Sequence, residues 1–287
     1  MARVVFVHGI GAQTSGGSSM TGPWLRAMND GLALTGAGPV SESEVGFAFY
    51  GNLFRPPGEW LSMDVPFYDA ADVDAGEEQD LLVAWWRAAA AVDPEVTVPG
   101  TDSLVAVPGA VQQGLYQLSR SRFFAGVAER VMIWNLKQVH RYFTEPVLRH
   151  QIRHRLYTLL TPDTRIVVAH SLGTVVAYET LCATPDHEVR ALVTLGSPLG
   201  IPNLVFDRLD PAPVGGIGRW PGSDELVWTN IADRGDVVAL VKDLRDRFGP
   251  GVRNALVRNE SRAHDAVPYL TSELTGQVIA EGLAGGD

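Results

Sequence analysis

Arg165 to Leu181, "RIVVAHSLGTVVAYETL", is the stretch that most limits what this chain can fold into. A run of β-formers, Ile166 to Val168, leads to Ala169-His170-Ser171-Leu172-Gly173, and an apolar-periodic helix begins with no linker between. A strand that passes directly into a helix needs a very sharp turn. The residue at its apex is then strained, and the positions two before and two after it have no room for bulk. Such a turn lifts the Ser171 hydroxyl clear of the backbone. It also aims the next N–H and the helix N-terminus at the same space. A plainer role stays open, because serine is a good helix N-cap.

The flanking sequence repeats the same alternation. "RVVFVHG" (3–9) reads as a buried strand stopped by glycine, and a Gly- and Ser-rich loop, "GIGAQTSGGSSMTGPW", precedes a helix from about Pro23 or Trp24. "VGFAFYG" (45–51) is a second strand. Beyond residue 161, strands are expected at 166–169, 189–196, 225–233 and, more weakly, 251–259. A helix is expected at 174–183, and a closing helix over "VPYLTSELTGQVIAEGL". This pattern predicts an α/β fold with a mostly parallel central sheet covered by helices on both faces. Ligands of such sheets sit at the carboxyl ends of the strands. Those ends are His8-Gly9, Ser171, Gly196-Ser197-Pro198, Asp233 to Asp236, and the segment before His264.

Between 52 and 160 the alternation stops. The span from Gly9 to Ser171 is about twice what two intervening strands and their helices require, given short connections. The excess reads as a mainly helical insertion within a single domain covering 1–287. Helices are expected over "EEQDLLVAWWRAAAAV", over roughly Arg122 to Tyr142, and from a Thr144 N-cap to Leu160 with Pro146 in the first turn. Val127, Val131, Trp134 and Leu136 to Val139 fall near helical spacing, which predicts a buried stripe. The insertion is also apolar enough to serve as a cap presenting an apolar pocket to a substrate.

A net charge of −10 and the lack of any basic run interleaved with aromatics argue against nucleic acid or an anionic membrane as partner. Cys182 is the only cysteine, so no intrachain disulfide forms, and its apolar helix predicts a buried, inert thiol. The apolar run after Met1 is too short for a signal-peptide core, and no stretch is long enough for stable membrane insertion. A cytoplasmic protein is the expectation.

A serine hydroxyl is a weak nucleophile until a base takes its proton and a third group orients that base. "ADRGDVVAL" places Asp233 and Asp236 just after a strand, and "SRAHDAVPYL" places His264 between the last strand and the last helix. The chain order is Ser, Asp, His. "VVFVHGIG" together with "VVAHSLG" resembles the α/β-hydrolase superfamily, close in motif to bacterial lipases and esterases whose elbow reads A-H-S-x-G. The resemblance covers roughly 1–51 and 161–287 and leaves out the middle. It implies a serine hydrolase with Ser171, Asp236 and His264 as its triad. Asp236 is favoured because Asp-x-Val after a short turn is typical of the family acid; Asp233 is the alternative, with hydrogen bonding inside the turn as its other role. By position, the resemblance puts the N–H groups of Leu172 and Ile10 in the oxyanion hole, with Gly11 as an alternative to Ile10.

The substrate implied is a small apolar ester, or a thioester if the same triad serves a thioesterase or acyl transferase. A relative that only binds a ligand is the non-catalytic alternative. No cofactor and no metal is implied. "HQIRH" sets His150 and His154 one helical turn apart, but Gln151 stands where a zinc site of the H-E-x-x-H type needs glutamate. The glycine-rich loop lacks the G-K-[ST] ending of a phosphate loop. His8 is expected to be a hydrogen-bonded scaffold for the oxyanion loop. His170, adjacent to Ser171 at a tight turn, points away from it and is not expected to be the base. His140 and His187 have no partner that the sequence identifies.

Overall fold

The computed structural model describes residues 2–12, 16–55, 67–100, 108–121 and 128–284. Six short apolar runs form one sheet: β1 (Val4–Val7), β2 (Val45–Ala48), β3 (Ile166–His170), β4 (Ala191–Leu195), β5 (Val227–Asp233) and β6 (Arg253–Val257). The order is β2-β1-β3-β4-β5-β6 and every neighbouring pair is parallel. A parallel sheet has both faces covered, so its central strands can be apolar at every position. β1, β3 and β4 are buried throughout.

The helices are α1 (Gly17–Leu34), α2 (Glu77–Val92), α3 (Pro108–Arg120), α4 (Glu129–Thr144), α5 (Pro146–Tyr157), α6 (Leu172–Cys182), α7 (Arg245–Phe248), α8 (Ala266–Thr271) and α9 (Glu273–Ala284). Period-two geometry divides the strand side chains between two cores. Val4, Phe6, Ile166 and Val168 pack with Trp24 and Met28 of α1, Leu270 of α8 and Ile279 of α9. Val5, Val7, Val167 and Ala169 pack with Val175 and Val176 of α6, Ile152 of α5 and Tyr142 of α4. A third core is built mostly within the helical segment, from Leu82, Trp86, Leu115, Leu118, Ile133 and Leu136, and it includes Val237 and Val238 beyond β5.

Several boundaries differ from the sequence reading. α1 starts at Gly17, well before Pro23, because Ser19 Oγ accepts from the Gly16 N–H and donates to the Gly16 carbonyl, closing the first turn. Glu145, not Thr144, is the N-cap of α5; Thr144 ends α4 with its hydroxyl donating to the His140 carbonyl. The closing helix breaks at Ser272, whose hydroxyl accepts from the Thr275 N–H and so starts α9. α3 was not anticipated. Its apolar face of Val111, Leu115 and Leu118 is diluted by two glycines and by polar residues, and packing against α2 and α4 compensates. Among the described residues only β2 intervenes between β1 and β3, not two strands, because the intervening chain folds as helices and β2 ends the sheet. Trp134 and Leu136 are buried as the stripe predicts, while Val127 lies outside the described residues. Among the described residues no helix is long and apolar enough to cross a membrane.

Candidate active site

Three strand ends converge. Ser171 sits between β3 and α6, Asp236 in the loop after β5, and His264 between β6 and α8. Ser171 has φ 55° and ψ −130°, a conformation that costs a non-glycine residue about 1–3 kcal/mol and persists only where the surroundings enforce it. The enforcement is steric. A Cβ at Gly173 would lie 2.4 Å from the His8 carbonyl oxygen, and one at Gly9 would lie 2.5 Å from Ser171 Cβ. The end of β1 and the β3–α6 turn can therefore touch only because both positions are glycine.

Ser171 Oγ lies 2.9 Å from His264 Nε2, and His264 Nδ1 lies 2.8 Å from Asp236 Oδ2. Asp236 Oδ1 accepts from the Val238 and Ala239 N–H groups at 2.9 and 3.2 Å, and Oδ2 also accepts from the Tyr269 hydroxyl at 2.8 Å. Burial opposes ionisation of Asp236, but His264, Lys242 and the Val238 N–H outweigh it and hold the carboxyl below the usual carboxylate range. Burial, reinforced by the Asp236 charge, raises the Tyr269 phenol, so Tyr269 stays a donor to Asp236. Gly196 makes room for the pair. Its φ is +57°, and a Cβ there would lie 2.7 Å from Asp236 Oδ2.

Asp233 meets this chain of contacts only through its main chain, whose N–H donates to the Tyr269 hydroxyl at 2.6 Å; its carboxylate is outside it. It accepts from the Gly235 N–H at 2.6 Å and from the Asn259 N–H, and so pins its own turn to the end of β6. The Gly11 N–H donates to Gln138 Oε1 at 3.4 Å. The Ile10 and Leu172 N–H groups have no hydrogen-bond partner among the described residues.

His8, His170 and His187 are held by scaffold hydrogen bonds. Burial lowers His8 to about 4; its Nδ1–H donates to the Gly9 carbonyl at 2.6 Å and its Nε2 accepts from the Tyr50 N–H at 3.0 Å. Burial, with a contribution from His264, lowers His170 to about 3, and its Nε2–H donates to the His264 carbonyl at 2.6 Å. His170 thus holds the backbone of His264 and does not touch Ser171 Oγ. His187 bridges the Pro221 carbonyl and the Val189 N–H, and His140 Nδ1 lies 3.2 Å from Glu77 Oε2. The His150 and His154 rings are 6.2 Å apart on α5, and among the described residues no group of three or more His, Cys, Asp or Glu is placed to hold a metal ion. Cys182 is buried and its thiol is pushed up to about 11, chiefly by burial.

Ser171 and His264 open onto a pocket of roughly 320 Å³. Met20, Trp24 and Val267 form part of its wall from the sheet side, and Trp85 of α2 and Asn135 of α4 close it from the helical segment. Asn135 Oδ1 is buried and has no hydrogen-bond partner among the described residues. Tyr269, Trp85 and Asn135 escaped the sequence reading, because none sits in a motif and each matters only through a contact across the fold; Gly196 was read as a strand end, but not as the residue that makes room for Asp236 and His264. Such an arrangement can transfer a proton from Ser171 Oγ to His264 while Asp236 balances the imidazolium, beside two free N–H donors. The chain matches no known family model, and no curated protein sequence matches it.

Proposed function

We propose that this protein is a serine hydrolase of the α/β-hydrolase superfamily that cleaves a carboxylic ester with an apolar acyl or alcohol part. One observation carries the reading: the continuous contact from Ser171 through His264 to a buried, ionised Asp236, mounted on a strained strand-to-helix turn. In the proposed reaction, Ser171 Oγ bonds to the ester carbonyl carbon as His264 Nε2 takes its proton. In this reading the charge on the carbonyl oxygen meets the Leu172 and Ile10 N–H groups and the N-terminus of α6, main-chain donors of the kind that need no reorganisation during the reaction. Collapse expels the alcohol, which leaves with the proton from His264, and water repeats the sequence on the acyl-enzyme. Asp236 holds the Nδ1–H and so fixes the tautomer throughout.

The helical segment serves as the cap in this reading. Trp85 and Val238 give the pocket an apolar side, and Asn135 Oδ1 offers an acceptor to a donor group on the substrate. A panel of p-nitrophenyl esters and acyl thioesters of graded chain length, assayed with wild type and Ser171→Ala, tests it. Turnover of esters by wild type alone is the expected outcome. Equal rates for the two proteins, or no turnover of any member, would remove the proposal.

A further inference from the structure

A second cavity, of roughly 490 Å³, lies behind the Asp236 loop, between α2 and the segments that follow β4 and β5. Its walls include Ala88 of α2 and Leu204 and Leu240, and three cations reach it: Arg87, Arg234 and Lys242. Val237 faces this cavity, whereas the next residue, Val238, faces the Ser171 pocket. The two spaces have no lining residue in common, although the Asp236 loop and α2 are walls to both.

The charges here are poorly answered by the protein itself. Asp236 is the one carboxylate in the lining, and its oxygens are already taken by His264, Tyr269 and two main-chain N–H groups. Lys242 Nζ donates to the main-chain carbonyl of Asp236, not to a carboxylate, and burial pushes its ammonium pKa down despite Asp236 and Asp233. Arg87 and Arg234 are exposed and form no ion pair among the described residues. A chain of net charge −10 would repel anions at long range, so three cations around one apolar cavity make a local exception. The volume lies within the range of small-molecule sites, roughly 300–1,000 Å³, and the lining has their usual makeup of apolar walls with few polar groups.

We propose that this cavity binds an amphipathic anion, a carboxylate or phosphate group carried on a short apolar chain. The apolar chain lies against Ala88, Leu204 and Leu240, and the head group meets Arg87, Arg234 and Lys242. The site stands whether or not Ser171 is a nucleophile, because neither Ser171 nor His264 lines it and the Asp236 carboxylate, already engaged on the other side of the loop, takes no part in binding the anion. Calorimetric titration with octanoate, octyl phosphate and 1-octanol tests it. Wild type should bind one anion per chain, and the neutral alcohol should bind about tenfold more weakly or worse. Whichever anion binds more tightly identifies the head group. The exposed pair Arg87→Ala/Arg234→Ala should weaken the anion by on the order of tenfold. Ala266 lines the Ser171 pocket and not this cavity, so Ala266→Trp, which obstructs that pocket instead, should leave anion binding unchanged. Octanol binding as tightly as the anions, full affinity in the double variant, or binding lost only in Ala266→Trp would each overturn the proposal. The octanol comparison needs no variant, so it holds even if a substitution harms folding.

Discussion

At the carboxyl end of the sheet, Ser171, Asp236 and His264 are positioned by main chain. Parallel pairing sets the register of β3 against β4 and of β5 against β6, and glycines at 9, 173 and 196 let the loops touch. Helices α2 to α4 are positioned by side chains. They carry their own core and reach the rest of the molecule through Val237 and Val238, through the Arg208–Glu77 ion pair at 2.8 Å, and through Tyr142, whose hydroxyl donates to the buried Glu179 of α6 at 2.7 Å. Main-chain positioning fixes distances to tenths of an ångström and tolerates almost no change. Side-chain docking holds a wall in place while leaving its shape open to substitution. Under the proposed function, the sheet end therefore suits the chemistry, and the helical wall suits the choice of substrate.

The two aspartates at the end of β5 offer the sharpest break between these roles. Asp236→Asn should lower kcat by on the order of a thousandfold or more, because it removes the acceptor that keeps His264 in its working tautomer. Asp233→Asn should leave kcat near wild type and cost about 1–3 kcal/mol of stability, since Asp233 only ties down main-chain N–H groups. Exchange of the two outcomes in steady-state kinetics and urea melts would place the acid at the wrong end of the turn.

A smaller effect separates the regions by pH. His8 and His170 are buried at the sheet end with pKa values near 4 and 3, below the usual value of about 6.5, so the unfolded chain binds protons that the folded chain refuses. Stability should then be complete above pH 6.5 and fall as the pH drops, by up to about 1.4 kcal/mol per unit for each histidine. Asp236 acts in the opposite part of the scale. Its depressed carboxyl contributes stability that is present above about pH 3.9 and lost only below it, so a comparison at pH 7 and pH 5 isolates the histidines. Urea midpoints should drop across that interval, and by less in His170→Gln. Equal midpoints at the two pH values would mean that the histidines are not held neutral.

How far each region could be read from the sequence follows the same division. The sheet was legible because buried parallel strands are short apolar runs with glycine at their ends, and the strand-to-helix turn at Ser171 leaves a local mark in five residues. Asp236 was separable from Asp233 only through the resemblance, because both follow the strand closely and the distinction is made by Gly196 and Tyr269, far away in the chain. The helical layer was legible in part. α2 and α4 show their apolar faces, but α3 is held by Trp86 and Leu82 of α2, and no window within "PGAVQQGLYQLSR" records that. Which wall of the Ser171 pocket the layer would form was not written in it at all.

The smallest expected effect is on that wall. Each additional CH₂ buried in the pocket contributes about 0.8 kcal/mol, roughly fourfold in kcat/KM, until the pocket ends. Trp85→Phe should let the rise with acyl length continue for another carbon or two while leaving the shortest ester nearly unchanged. A lowered Tm with the same chain-length profile would make Trp85 packing and nothing more.

The central claim is that the strained serine is the nucleophile, and covalent trapping reads it directly. Wild-type protein treated with a fluorophosphonate and mapped by peptide mass spectrometry should carry one adduct, on Ser171, and folded Ser171→Ala should carry none. An adduct on a different serine, or a well-folded wild type that stays unlabelled, would contradict the account.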